Sequence, residues 1–356
     1  MANDYILLGK SGLRVSRFCL GTMTFGTDWG WGSGEDAAGQ IFNQFLDSGH
    51  NFIDTADGYT NGTSETLIGR FLKQRGDRDR VVLATKFGFG REPGNPNAGG
   101  NGRKNILSAL HASLRRLQTD YIDLYWLHNW DTFTPVDEVM STLDGLVRSG
   151  EVRYIGFSNS PGWYLGRAQT IAELRGYERI VGLQLEYSLV EREIEREHVP
   201  AAIELGIGIT PWSPLAGGLL TGRYQAEGGL SGDGRLQAVK NHPAFSGLFT
   251  ERNWRIASEV LKVAKELGRT PAQVALNWVA NRPAVSSTII GATKIKQLED
   301  NLGALEFTIP TEQLLRLDDI SATEVPYPYY FFTRKEFREM VSGGTKVSPT
   351  AVQRAS

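Results

Sequence analysis

Eight short apolar, β-branched runs alternate with segments of helical periodicity from the first third of the chain to its end, and this alternation constrains the fold more than any other feature. The runs are residues 17–21, 51–56, 81–87, 122–128, 152–158, 180–185, 207–212 and 287–290. Successive strands that lie parallel need a long crossover, and a helix is the usual one. The intervening segments supply it. Ile41, Phe42, Phe45 and Leu46, or Leu107, Leu110, Leu114 and Leu117, recur at spacings of three and four and put one apolar stripe on a helix. Gly49, Gly76, Gly150, Gly176 and Gly206 stand just before the next run, where a left-handed cap turns a helix back toward a sheet.

Eight strands with crossover helices predict a (β/α)8 barrel of the TIM type, and 356 residues suit one such domain spanning 1–356. Residues 5–16, with the turn Lys10-Ser11-Gly12 between two short apolar-rich runs, read as a β-hairpin ahead of the first barrel strand, placed to plug the lower mouth. Two Gly-rich stretches, 91–102 and 225–246, are expected as long loops after the third and seventh strands, where they can cover a substrate. The tail, 323–356, holds an aromatic cluster (Tyr327, Tyr329, Tyr330, Phe331, Phe332) and then a polar end expected to be partly mobile.

Composition excludes several classes of function. A net charge of -2 gives no broad cationic surface for nucleic acid or an anionic membrane. No apolar run approaches the roughly 20 residues of a spanning helix, and the first residues lack the layout of an export signal. The cytoplasm is the expected compartment. The single cysteine, Cys19, precludes an intrachain disulfide, and its apolar setting reads as a buried structural thiol. Small-molecule partners remain. Barrel helices can also pair without a sequence signature, so a homo-oligomer stays open.

Barrel enzymes place reacting groups at the carboxyl ends of their strands. Four polar residues fall there. Asp54 ends the second run in NFIDTADGY, Tyr59 follows in the loop, Lys86 lies inside VVLATKFG, and His128 closes YIDLYWLHNWD. A lysine flanked by Val81, Val82, Leu83 and Phe87 is costly to bury unless a carboxylate offsets its charge, and Asp54 on the adjacent strand is the natural partner. The resulting cationic centre would favour ionisation of Tyr59, whose free phenol has a pKa of about 10. His128 is placed to hydrogen-bond a substrate oxygen.

The stretches LGTMTFG, FIDTADGY, SETLIG, LATKFG, YIDLYWLHNWD, VRYIGFSNS, LQLEYSL, TPWSPLAGGLLTGRY and IIGATKIKQLEDNLGAL resemble those of the aldo-keto reductases across essentially the whole chain, in the branch of aryl-alcohol dehydrogenases and potassium-channel β-subunits. The resemblance implies Tyr59 as general acid or base, Lys86 and Asp54 as its tuners, and His128 as the group orienting a carbonyl. It implies a nicotinamide cofactor as well. Ser158, Asn159 and Gln184 would hold its carboxamide, Trp212 would stack on the ring, and Gly21, Thr22 and Met23 would lie alongside, together with Asp54. Ser213, Pro214, Leu215, Gly217 and Arg223 would border the pyrophosphate; Gly291, Thr293, Lys294, Gln297 and Asn301 would border the adenosine. Phosphate in the loops after strands seven and eight is a habit of barrels.

Two departures from the family pattern bear on selectivity. Thr293 stands where many relatives have arginine or lysine, but the adjacent Lys294 can answer a 2′-phosphate, so NADPH is favoured and NADH less so. Met23 stands where many have tryptophan, while Trp29 and Trp31 follow in the next loop and, with Trp130, are expected to wall a substrate pocket beside Tyr59 and His128.

Other chemistries lack their signatures. There is no G-x-G-x-x-G after a strand, no Tyr-x-x-x-Lys, no G-x-S-x-G and no H-E-x-x-H, so catalysis is expected to need no metal. The sequence therefore predicts an NADPH-dependent reductase of aldehyde or ketone carbonyls. Two alternatives stand beside it: a cofactor-binding regulatory subunit with vestigial reductase activity, and a glycosidase using Asp54 and Glu186, although Lys86 explains Asp54 better.

Overall fold

A computed structural model describes residues 4–224 and 247–346. The expected loop at 225–246 and the polar end of the tail, 347–356, lie outside the described residues. The hairpin forms as β1 (Tyr5–Leu7) and β2 (Arg14–Ser16), antiparallel with Tyr5 opposite Ser16. Eight parallel strands follow: β3 (Phe18–Gly21), β4 (Phe52–Asp54), β5 (Val82–Phe87), β6 (Ile122–Leu127), β7 (Val152–Ser158), β8 (Ile180–Gln184), β9 (Gly208–Ile209) and β10 (Thr288–Ile290).

These strands pair in chain order, and β10 pairs with β3. The remaining edge closes through Ile209 N–H to Ala284 O (2.7 Å), Ser286 N–H to Ile209 O (2.8 Å) and Ile289 N–H to Pro211 O (2.9 Å). The architecture is the predicted (β/α)8 barrel with an N-terminal hairpin. β9 is shorter than the run 207–212 suggests. Beyond Ile209 the backbone still donates to the segment of β8, Thr210 N–H to Leu183 O (2.6 Å) and Trp212 N–H to Leu185 O (2.9 Å), but the ladder is no longer continuous and reappears as the bridge between Glu186 and Trp212.

Helices α1 (Glu35–Asp47), α2 (Thr63–Arg75), α3 (Arg103–Leu117), α4 (Val136–Ser149), α5 (Gly162–Arg175) and α6 (His198–Leu205) follow β3 to β8 in turn. α7 (Glu251–Leu267) and α8 (Pro271–Ala280) precede β10, and α9 (Ile295–Leu302) and α10 (Thr311–Ser321) follow it. Each turns its apolar stripe to the barrel. In α1 the buried set is Ala38, Ile41, Phe42 and Phe45, and full burial of each large side chain stabilises the fold by about 1.5–3 kcal/mol. Gly76, Gly150, Gly176 and Gly206 are left-handed caps as the sequence predicts, while Gly49 is left-handed one residue beyond the cap Ser48. No described helix is long and apolar enough to cross a membrane.

Leu8 and Val15 of the hairpin are fully buried with Phe52, Leu124 and Trp126 in a cluster distinct from the core under the helices. Leu8 lies against Gly182 and Gly208, near the start of β8 and β9. The hairpin thus seals the amino end of the barrel and leaves the carboxyl end for chemistry. Cys19 is buried in the same cluster, where desolvation raises its thiol pKa well above normal. The aromatic part of the tail is helical over α11 (Tyr330–Thr333) and α12 (Lys335–Val341), and its Tyr329 hydroxyl donates to Glu197.

Candidate active site

The carboxyl ends of the strands open into an elongated cleft of about 2230 Å³. Asp54 lines its floor, and Lys86 is buried beneath it. Asp54 pairs in register with Ala84, and Lys86, two residues on, points to the same side of the sheet. Lys86 Nζ donates to Asp54 Oδ2 (2.5 Å), to Thr55 O (2.8 Å) and to Tyr59 Oη (3.0 Å), and the side chain has no solvent exposure. Gln184 Nε2 donates to the other Asp54 oxygen at 2.9 Å.

The electrostatics follow from this geometry. Burial alone would lower the Lys86 pKa, but the charge of Asp54 and the hydrogen bonds that Lys86 donates to Asp54 and Tyr59 outweigh it and hold the ammonium charged. Burial raises the carboxyl of Asp54, opposed by Lys86 and Gln184. His128 is 8% exposed, and desolvation, assisted by the nearby Lys86 charge, puts its pKa well below 6.5. It is a neutral imidazole at neutral pH. The rings of Tyr59 and His128 meet edge to face at 5.9 Å.

Tyr59 opens a 3-10 turn in which Thr60 (φ 45°) and Asn61 (φ 55°) are left-handed. Such backbone costs on the order of 1–3 kcal/mol per residue and persists only where its surroundings impose it. Thr60 Oγ1 does so, donating to Phe25 O (2.7 Å) and accepting from Ser64 N–H (3.1 Å). Thr22 is buried beneath this turn, where its hydroxyl donates to Asp54 O, and it does not line the cleft.

Further along the cleft, Asn159 (φ 44°) joins three strand ends: its Nδ2 donates to His128 O (3.0 Å) and to Ser158 Oγ (3.0 Å), and its Oδ1 accepts from Trp212 Nε1 (3.1 Å). After Trp212, positive φ at Ser213, Ala216, Gly217 and Gly218 folds the backbone into a concavity of the kind that receives anions. Gly21, Met23, Pro214, Leu215 and Arg223 line the same cleft, as do Gly291, Thr293, Gln297 and Asn301. Gln297 Oε1 accepts from Thr293 N–H (2.9 Å), and Asn301 Nδ2 donates to Gly291 O (3.2 Å). Lys294 is exposed at the N-cap of α9 and lies outside the lining. These residues suit a dinucleotide: a strained anion-receiving turn in mid-cleft, a half-buried indole on one side of it and a helix start on the other.

Trp29 and Trp31 wall the cleft 5.6 Å apart, with Trp29 edge-on to Tyr59 at 6.4 Å. Trp130 does not join them. Its ring packs against Trp163 (5.3 Å) and Tyr164 (6.0 Å), outside the cleft lining, because the chain after β6 carries it toward α5. The position expected for it is taken by Phe89, whose ring stands over His128 at 4.4 Å. An aromatic between glycines directly after a strand, FGFG, was the available signal for Phe89.

Residues 17–322 match the family model described as the aldo/keto reductase family. The chain belongs to this family. The aldo/keto reductase is 41% identical over 329 residues to the uncharacterized oxidoreductase YrpG of Bacillus subtilis, covering 89% of this chain and 95% of that one. It is 33% identical to a norsolorinic acid reductase of Aspergillus flavus, covering 92% of this chain and 83% of the relative. An NADP(+) aryl-alcohol dehydrogenase of Phanerodontia chrysosporium is also 33% identical, with 90% and 86% covered. Family members generally use a nicotinamide cofactor, and the three relatives named here carry the names of oxidoreductases.

Proposed function

We propose that the protein reduces aldehyde or ketone carbonyls to alcohols with NADPH, and that Tyr59 is the proton donor. The observation that carries this reading is the Tyr59 hydroxyl held on a buried ammonium, 3.0 Å from Lys86 Nζ, beside a neutral His128 in a cleft long enough for a dinucleotide. A bound reduced nicotinamide supplies the hydride. Tyr59 gives its proton to the carbonyl oxygen as negative charge develops there, and Lys86 stabilises the phenolate left behind. His128, being neutral, donates a hydrogen bond to the same oxygen without competing for the proton. Asp54 keeps Lys86 charged, and Gln184 keeps Asp54 in place.

Ser158, Asn159, Gln184 and Trp212 would hold the nicotinamide, the turn from Ser213 to Gly218 with Arg223 the pyrophosphate, and the residues from Gly291 to Asn301 the adenosine. Trp29, Trp31 and Phe89 would wall the carbonyl substrate. Replacing Tyr59→Phe tests the assignment: NADPH consumption with an aldehyde panel should fall by about a thousandfold or more, while NADPH still quenches tryptophan fluorescence with near-unchanged affinity. Retained turnover would overturn it.

A further inference from the structure

A second buried ion pair lies two residues before Tyr59. The Asp57 side chain has no solvent exposure, and its Oδ2 is 3.2 Å from Nε of Arg91, whose side chain is 18% exposed. Asp57 is tied to the catalytic strand as well, its N–H donating to Lys86 O at 3.1 Å. Arg91 organises the loop between β5 and α3. Its N–H donates to Ala98 O (3.0 Å) and its Nη2 to Asn105 Oδ1 (2.9 Å), while Asn105 Nδ2 donates to Gly100 O (2.7 Å) and Gly100 N–H to Gly88 O (2.7 Å). That loop presents Phe89, the ring that stands over His128.

The charges around Asp57 leave Arg91 as its close partner. Glu65 of α2 is buried nearby but already engaged, accepting from Thr85 Oγ1 (2.5 Å) and from Arg116 Nε of α3 (2.7 Å). The Tyr125 phenol of β6 donates to Ile106 O. Burial first, and Glu65 second, push the Asp57 carboxyl up to about 7, against the pull of Arg91 and Arg116. A carboxylate so placed is poorly tolerated without its guanidinium.

We propose that Asp57 is a positioning residue: paired with Arg91, it clamps the Tyr59 loop to the Phe89 loop and thereby sets Tyr59 against His128, the two groups that must reach one carbonyl oxygen. The clamp rests on the reductase reading above. A displacement of about 1 Å in such a pair costs on the order of a hundredfold in rate without a matching loss of binding.

Asp57→Asn and Arg91→Met are each expected to lower kcat for aldehyde reduction by about tenfold or more while the NADPH Kd stays within about twofold, and Arg91→Lys, which keeps the charge, should retain most of kcat. Hydrogen–deuterium exchange on the same proteins reads the clamp without turnover. Asp57→Asn should speed exchange in residues 88–100 as well as 57–62, and Arg91→Met should likewise speed exchange in 57–62 as well as in its own loop. An unchanged kcat, or exchange that rises only in the loop carrying the substitution, overturns the proposal. If Asp57→Asn does not fold, the two Arg91 variants carry the test at a partly exposed side chain. If the unmodified protein reduces no carbonyl, the reductase reading fails, and exchange alone then decides whether the loops are clamped.

Discussion

The ammonium of Lys86 rests on the carboxylate of Asp54 from the neighbouring strand, at 2.5 Å and with side-chain exposures of 0% and 2%. Removing one member of such a pair strands the other charge in the barrel. Asp54→Asn should therefore destabilise the protein by about 3–5 kcal/mol, while Asp54→Asn combined with Lys86→Met should recover part of that loss, because no uncompensated ion remains. Urea denaturation of the two single variants and the double variant measures it. Additive losses would mean that the pair contributes little as a pair.

Cofactor choice turns on Lys294, exposed at the start of α9 beside Thr293. If its ammonium answers a 2′-phosphate, Lys294→Ala should raise KM for NADPH by about tenfold, as loss of one charge-assisted contact implies. KM for NADH, which lacks that phosphate, should move less than about twofold. Parallel steady-state titrations with the two cofactors make the comparison, and equal changes would place the selectivity elsewhere.

Much of the floor of the candidate site is legible in the sequence because burial leaves few choices. A lysine among Val82, Leu83 and Phe87 demands a carboxylate, and strand order puts Asp54 beside it. Apolar periodicity and glycine caps likewise fix where strands and helices fall. What escapes are features set by contacts between distant loops. Trp130 turns toward Trp163 and Tyr164 instead of the cleft, Phe89 takes its place over His128, and the pairing of Asp57 with Arg91 joins two loops whose conformations neither segment specifies alone.

His50 is a liability in acid. It is 7% exposed, its ring nitrogens have no hydrogen-bond partner among the described residues, and it packs between Phe45 (4.8 Å) and Phe18 (6.4 Å). Burial lowers its pKa from 6.5 to about 4. The unfolded chain therefore takes up the proton first. Above pH 6.5 the residue adds no pH dependence; between 6.5 and 4 it removes stability progressively, up to roughly 3 kcal/mol at about 1.4 per unit. His50→Leu should abolish that component, so the gap in unfolding free energy between variant and parent should widen in favour of the variant as the pH falls from 7 to 4. Parallel stability curves would show that His50 accepts its charge without cost.

Trp126 fills the barrel directly across from Lys86 in the β5 and β6 register, and its fit depends on two glycines. Trp126 is paired with Gly156, and Gly156 with Gly182, so the three form one row over β6, β7 and β8. A Cβ on Gly156 would lie 2.3 Å from the indole and one on Gly182 2.9 Å from it. Neither contact is tolerable without movement, and the fully buried Trp126 has little space to yield. Gly156→Ala should destabilise the fold by about 1–3 kcal/mol through overpacking, with the strain reaching Lys86 one strand away. Adding Trp126→Leu relieves the clash and should restore part of the loss, although Trp126→Leu alone is destabilising because it opens a cavity. The sign of that coupling, read from denaturant midpoints of both singles and the double, separates overpacking against Trp126 from a backbone requirement for glycine: in the latter case Trp126→Leu would bring no recovery.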